Sequence, residues 1–382
     1  MAKVITTELQ HSGASAANIT LDSSKNVTVA NNLTVTGAVS GGNYAGRNII
    51  INGAMQVAQR GTSSTDNSYA TVDRFRTIRG GTDEAPTQEQ VALTSSDTGP
   101  WEKGFRKCLK VTNGNQTSGA GADDSIAIQQ KIEAQNLANS GWNYNSTSSY
   151  ITLSFWCKSS VAQNFYGRLE MPDGTAQNYP FETGALSANT WTKITKAIPG
   201  NSNITINDDT GTGMEVELMM FRGTDGTDSG VSLNTWAAYA GGTRSPDFAT
   251  GWYTTNDATF QLTGVQLEVG DTATEFEHKS YDEELRKCQR YYEGVIMGTG
   301  TAIFRTWTNQ SNVTNTEYFY KVEKRVSPTF SLEGNGTWHP GGDSGMSAYP
   351  STSVCLFQRN DETGQFLTDA NGDLCCSFSA EL

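Results

Sequence analysis

Charge is scarce in this 382-residue chain: only 18% of its residues are Asp, Glu, Lys or Arg, and 27 basic side chains face 40 acidic ones, for a net charge of −13. No Lys/Arg cluster appears, so the patch that nucleic-acid binding requires is missing, and a role on a membrane surface is disfavoured for the same reason. Long apolar runs are missing too. Nothing approaches the roughly 18 to 20 apolar residues needed to cross a bilayer. The segment MAKVITTELQ has one Lys and no apolar stretch behind it, so it does not read as a secretory signal. Synthesis in a cytoplasm without classical export is expected. Histidine is limited to His11, His278 and His339, which lie far apart without metal-ligand spacing. There is no HExxH, nucleophile elbow, P-loop or CxxC, so the chain offers no enzyme or cofactor motif. Six cysteines, Cys108, Cys157, Cys288, Cys355, Cys375 and Cys376, show no regular spacing and read as free buried thiols rather than a disulfide framework.

What is present is turn chemistry and alternation. With 39 Gly and abundant Thr, Ser and Asn, the composition suits β-structure whose outward faces are polar but uncharged. In YITLSFWCK, Ile151, Leu153, Phe155 and Cys157 share one face, with Tyr150, Thr152, Ser154 and Trp156 on the other. NFYGRLEM sets Phe165, Leu169 and Met171 against Tyr166, Arg168 and Glu170, and MEVELMMF adds Met214, Val216, Leu218 and Met220. In TFQLTGVQLEVG the alternation slips by one after Leu262, which a bulge at Gly264 explains. NIIINGAMQV reads as a hairpin turning at Asn52-Gly53. Many short strands with polar connections predict a jelly-roll-like antiparallel β-sandwich over residues 46–278. Residues 1–45 hold three short alternating pairs, Ile19 and Leu21, Val27 and Val29, Leu33 and Val35, too short to build a core alone. They are either disordered or associate with other copies, and the sustained alternation favours association. Residues 294–382 read as a small β-domain joined to the sandwich only through a helix at 279–293.

That helix is SYDEELRKCQRYY, residues 280 to 292. Ser280 and Glu283 fit a capping box, Asp282 and Glu284 suit the first turn, and Leu285, Cys288 and Tyr292 follow at helical spacing. The stripe has the spacing of a coiled-coil seam, which predicts that three copies meet there; packing on its own sandwich is the alternative.

At this point the chain resembles a family. NIIINGAMQVAQRGTS, ATVDRF at 70–75 and above all TFQLTGVQLEVGDTATEFEHKSYDEELRKCQRYY at 259–292 resemble bacteriophage tail-fibre and related virion-fibre proteins, particularly those of phages from aquatic bacteria. ITLDSSKNVTVANNLTVTGAV resembles the shaft or attachment repeat at the start of such fibres. The resemblance implies a homotrimer in the virion, attached through its N-terminus to tail or collar proteins, with C-terminal domains directed to a host glycan or outer-membrane receptor. Rival readings are a virion-bound polysaccharide depolymerase and a capsid- or collar-attached fibre or decoration protein.

Aromatic faces that stack on sugar rings, with Asn, Asp or Arg to bond hydroxyls, give the binding candidates. Trp156, Tyr166, Arg168 and Glu170 are expected on outward strand faces, where they either line a groove or pack beneath a loop or at a trimer contact. Trp338, His339 and Asp343 lie in the Gly/Pro-rich stretch GTWHPGGDSG, a candidate receptor loop. Trp142 and Tyr144, and Trp252 and Tyr253, are either loop-exposed or plug the ends of the core. Long connections at 112–125 and 222–250 serve either surface coverage or recognition. Asp208 and Asp209, and Asp225 and Asp228, give weak calcium-like patterns that also simply make turns.

Overall fold

The computed structural model describes residues 8–10, 12–13, 15–16, 19–21, 27–29, 46–296, 314–332, 346–359 and 374–382. The chain divides into two units, Met1–Tyr44 and Ala45–Leu382. In the first, β1 (Glu8–Leu9), β2 (Ile19–Leu21) and β3 (Val27–Val29) form an antiparallel sheet in that order. Ile19 stands opposite Val29 and Leu21 opposite Val27, so two of the alternating pairs are cross-strand partners. Leu33 and Val35 lie outside the described residues.

The second unit is built on a β-sandwich. Its strands are β4 (Ser63–Ser64), β5 (Arg76–Gly80), β6 (Thr87–Ala92), β7 (Lys107–Thr112), β8 (Ser125–Glu133), β9 (Tyr150–Ser159), β10 (Gln163–Met171), β11 (Gln177–Leu186), β12 (Thr192–Pro199), β13 (Thr212–Arg222), β14 (Ala237–Ala238) and β15 (Thr259–Val269), with a short helix α1 (Ala134–Ala138) after β8. The first sheet has the order β14-β11-β10-β13-β8-β5, the second β12-β9-β15-β7-β6-β4. Alternation decides the faces. Ile151, Leu153, Phe155 and Cys157 of β9 face Phe165, Leu169 and Met171 of β10 and Met214, Val216, Leu218 and Met220 of β13 in one buried core. Rings meet across the layers, Phe165 with Phe260 at 5.1 Å and Phe155 with Phe181 at 6.5 Å between centroids. Trp142, Trp252 and Tyr253 are buried in this core, with Tyr144 packed against it.

The bulge read at Gly264 is present: β15 changes register against β9 between Thr263 and Gln266, and Gly264 has φ +63°. A Cβ at Gly264 would sit 2.6 Å from Phe105 Cζ, so no other residue fits without displacing that ring. The bulge also explains why the expected hairpin at Asn52-Gly53 is not formed. Asn52 takes a left-handed φ of 61°, but the flanking segments bond elsewhere. Ile49 N–H donates to Leu267 O at 2.9 Å, Val265 N–H to Gly53 O at 2.9 Å, and Asp73 N–H to Val57 O at 3.0 Å. The segment is seated on the bulge, and Gly53 is required by close approach, since a Cβ there would lie 2.0 Å from Val265 O.

The remaining elements are α2 (Tyr281–Gln289), β16 (Tyr292–Ile296), β17 (Thr314–Phe319), β18 (Thr329–Leu332), β19 (Met346–Pro350), β20 (Val354–Arg359) and β21 (Leu374–Ser379). Ser280 caps α2, its Oγ accepting from Glu283 N–H at 3.3 Å, with acids in the first turn and Arg286 and Lys287 in the last. The seam expected between copies needs correction. Cys288 is fully buried in this chain, and Glu284 Oε2 accepts from Asn52 N–H at 2.6 Å. The helix ends at Gln289, so Tyr292 belongs to β16, where it is buried beneath the Arg60 guanidinium at 3.5 Å. Intrachain packing has consumed both side chains, while Leu285 is half-buried.

Sheets β16-β21-β18 and β17-β20-β19 enclose a smaller core of Val295, Tyr320, Cys355, Phe357, Cys376 and Phe378. This part is not joined to the sandwich through the helix alone, as expected, but belongs to the same compact unit. Arg325 donates to Ala380 O at 2.9 Å and to Thr210 O at 2.7 Å, and Glu381 pairs with Arg60 at 3.0 Å and with Arg74. Arg74 is 1% exposed, has φ 71°, and lies 3.5 Å above the Tyr291 ring. Cys108, Cys157, Cys288, Cys355 and Cys376 are free and buried, and burial pushes the Cys108 and Cys157 thiols up to about 12. Removing one partner of a buried pair leaves its charge uncompensated. Glu381→Ala is therefore expected to destabilise the second unit by about 3 kcal/mol, read as a lower denaturant midpoint. Gly264→Ala should cost roughly 1–3 kcal/mol through backbone strain alone, and more if Phe105 is displaced.

Candidate functional site

On the outer face of the second sheet, the residues facing away from the core are not left bare. Trp156 projects outward from β9, and the register places Lys193 of β12 directly opposite it. The connection between β6 and β7 brings Glu102, Lys103, Gly104 and Phe105 over this face, and the connection between β15 and α2 brings Thr274, Glu275, Phe276 and His278. With Ser154 and Gly264 they surround an open pocket of about 470 Å³, within the size range of small-ligand sites.

The wall is aromatic. Phe105, Phe276 and His278 contact one another with centroids 4.8 to 5.1 Å apart. Trp101 and Trp191 pack into the same surface cluster as Trp156. His278 Nε2 lies 2.8 Å from Lys103 O. A carbonyl only accepts, so Nε2 carries the hydrogen, and in the neutral ring Nδ1 remains an acceptor. The supporting loop is held by Asp97, whose Oδ1 accepts from Trp191 Nε1 and Lys158 Nζ, each at 2.9 Å. Burial alone would raise the Asp97 carboxyl, but these bonds and the Thr94 N–H hold it down to about 2. Glu102 accepts from Gly99 N–H, and Lys103 pairs with Glu275 at 3.3 Å. Such a site offers ring faces for the C–H side of a sugar and a rim of hydroxyl, ammonium, carboxylate and imidazole groups for its polar edge.

The sequence placed Trp156 with Tyr166, Arg168 and Glu170, and the structure separates them. The last three lie on β10, in the opposite sheet, so a groove shared with Trp156 does not exist. Tyr166 packs edge-on against Phe248 at 4.9 Å, and Arg168 lies 5.5 Å from the Tyr239 ring centre, so the 222–250 connection covers this face. Arg168 is 4% exposed and is bound by Glu217 at 2.7 Å and by Glu170. Asn113 of the 112–125 connection donates to Tyr253 O at 2.6 Å and ties that stretch to the end of the core. Trp338, His339 and Asp343 lie outside the described residues.

Among the described residues no three His, Cys, Asp or Glu are grouped to hold a metal. Asp209 and Asp228 accept from Gly211 and Gly230 N–H, as turn-makers do, while Asp208 accepts from the distant Asn139 side chain and Asp225 N–H donates to Ala122 O of the 112–125 connection. Phe105, Lys193, Thr274, Glu275 and Phe276 were not singled out by the sequence. The signal that could have found them is the pairing of an outward Trp with its cross-strand neighbour, together with the aromatic connections WEKGF and FEH.

No family model matches the chain, and no curated protein is similar enough to count as a relative. Solved structures are similar in architecture. One is the enzymatically active domain of tailspike protein 4 of bacteriophage CBA120, covering 58% of this chain and 21% of that one at 10% identity and a TM-score of 0.32. Another is a CBM4 structure, covering 57% of this chain and 98% of that one at 11% identity and a TM-score of 0.29. A third is TmCBM61 in complex with β-1,4-galactotriose, covering 59% and 99% at 9% identity and a TM-score of 0.27. The likeness is that of a β-sandwich.

The buried ion network on the other face has a measurable signature. Burial would raise the Glu217 carboxyl, but the Arg168 and Arg222 guanidiniums outweigh it and hold the group at about 2 against an ordinary 4.5. A carboxyl depressed in the folded state contributes its full stability above the unfolded value and loses it as pH falls towards the folded one. Stability is therefore expected to drop by roughly 3 kcal/mol from this group between about pH 4.5 and pH 2. Glu217→Gln should be less stable at neutral pH and show a flatter decline across that window, measured by denaturant titration at each pH.

Proposed function

We propose that this chain is a structural fibre subunit of a bacteriophage virion and that the pocket beside Trp156 binds a glycan of the host surface. The observation that carries the binding half is the pocket itself: a half-buried indole and the Phe105, Phe276 and His278 rings around an open space with a polar rim. A concavity with aromatic side chains in its wall and a few polar groups at its rim has the usual make-up of a small-ligand site. The virion half rests on the resemblance of residues 259–292 and 48–63 to tail-fibre proteins and on the one-sided strands of the first unit, which suit association of copies about a three-fold axis. In this reading the first unit serves trimerisation and attachment to tail or collar proteins, and the sandwich presents the pocket to the cell.

Two measurements test the reading. Trp156→Ala is expected to weaken binding to immobilised host surface polysaccharide about tenfold or more, the scale of losing one aromatic anchor, while Trp156→Phe retains part of it. Equal binding by all three proteins, with unfolding curves unchanged, would remove the pocket from the account. Native mass measurement should give three chains, and antibody against residues 1–44 should label the fibre base in intact particles. Steady release of reducing ends during incubation with the polysaccharide would replace adhesion with hydrolysis.

A further inference from the structure

We propose that the sugar this pocket accepts is acidic: a pyranose stacked on Trp156 whose ring-borne carboxylate meets the Lys193 ammonium. This rests on the glycan-binding reading and names the class of ligand.

Charge at the site decides the class of sugar. Four lining residues carry a full charge: Glu102, Lys103, Lys193 and Glu275. Glu102 is tied to its own turn by Gly99 N–H, and Lys103 and Glu275 offset each other at 3.3 Å. The cations just beyond the lining are also engaged. Lys158 is bound to Asp97 at 2.9 Å, and the Arg106 guanidinium stacks 3.8 Å above Trp101 while donating to Trp101 O at 3.0 Å. Lys193 makes neither a hydrogen bond nor an ion pair with any described residue, and it is exposed. Of the charged lining residues Lys193 is thus the one cation without a carboxylate partner, and Glu102, held at its own turn, is the one carboxylate without a cation.

Its position matters as much as its freedom. Lys193 is the direct cross-strand partner of Trp156, and side chains so paired stand about 5 Å apart at Cβ. A sugar ring lying on the indole thus places one edge beside the ammonium. An exocyclic carboxylate there gains an ion pair in which both donor and acceptor are charged, where a hydroxymethyl group meets the ammonium only as a neutral acceptor. The rest of the molecule works against anions, since the chain's net charge is −13. An acidic glycan is held off most of the surface and accepted where a free cation adjoins a stacking face.

The test uses the full chain and a panel of uronate- and ulosonate-containing bacterial polysaccharides, each beside its carboxyl-reduced neutral form. Binding is followed by calorimetry at two salt concentrations. The expected result is that at least one acidic form binds about tenfold more tightly than its reduced counterpart, the scale of one charge-assisted hydrogen bond. That advantage should shrink at higher salt. Lys193→Met, which keeps the stem and removes the charge, should bind both forms with the affinity of the neutral one, and Lys193→Glu should reverse the preference. A neutral form bound as well as its acidic parent, with both lost in Trp156→Ala, would overturn the acidic assignment and leave the pocket standing. Binding of neither form anywhere in the panel, or binding that survives Trp156→Ala, would overturn the pocket reading and the assignment with it.

Discussion

Strand β15 runs through the middle of the second sheet, pairing with β9 on one side and β7 on the other, and at Gly264 its backbone turns left-handed. That single residue shifts the β9 register by one and opens a notch in the sheet. The 48–53 segment fills the notch on one side, through Gly53 and Val265, and the Phe105 ring lies directly on the glycine. Phe105 in turn supports Phe276 and His278. The aromatic wall of the pocket and the seating of the segment before the sandwich both depend on a backbone conformation and a close approach that suit glycine.

The two outer faces of the sandwich solve the same problem differently. A sheet with long outward side chains must cover them or leave them wet. On the first sheet, Arg168, Arg222, Glu215 and Glu217 neutralise one another and a long connection lies over Tyr166 and Arg168. Buried charges of this kind add little net stability over apolar packing but are costly to break singly, so they fix geometry. On the second sheet the cover is incomplete, and the gap is aromatic rather than ionic. The difference between the faces is a difference between a closed network and an open one.

Much of this was readable from the residues, for a definite reason. Inward apolar positions on β9 and β10 alternate, because a sheet buried on one face leaves register little freedom, and the slip at Gly264 stands out against that order. Ser280 announced the helix because capping is local chemistry. What failed was whatever depended on which strand lies beside which. Trp156 and Tyr166 sit ten residues apart in sequence, yet the chain crosses to the other sheet between them. Lys193 gained meaning only as the partner of Trp156, and His278 only by reaching Lys103, 175 positions away. Asn52-Gly53 has the composition of a hairpin turn but serves a tertiary contact that no local pattern encodes.

The contacts of Glu381 with Arg60 and Arg74 join parts of the chain some 300 positions apart, 307 in the case of Arg74. Arg325, Thr210 and Ala380 fasten the same place from a third direction. The closing stretch cannot peel away from this unit without first breaking those ion pairs and hydrogen bonds. The unit is thus closed on itself: its last residues act as a latch on its first ones, and fraying from the closing end is checked at a buried bridge.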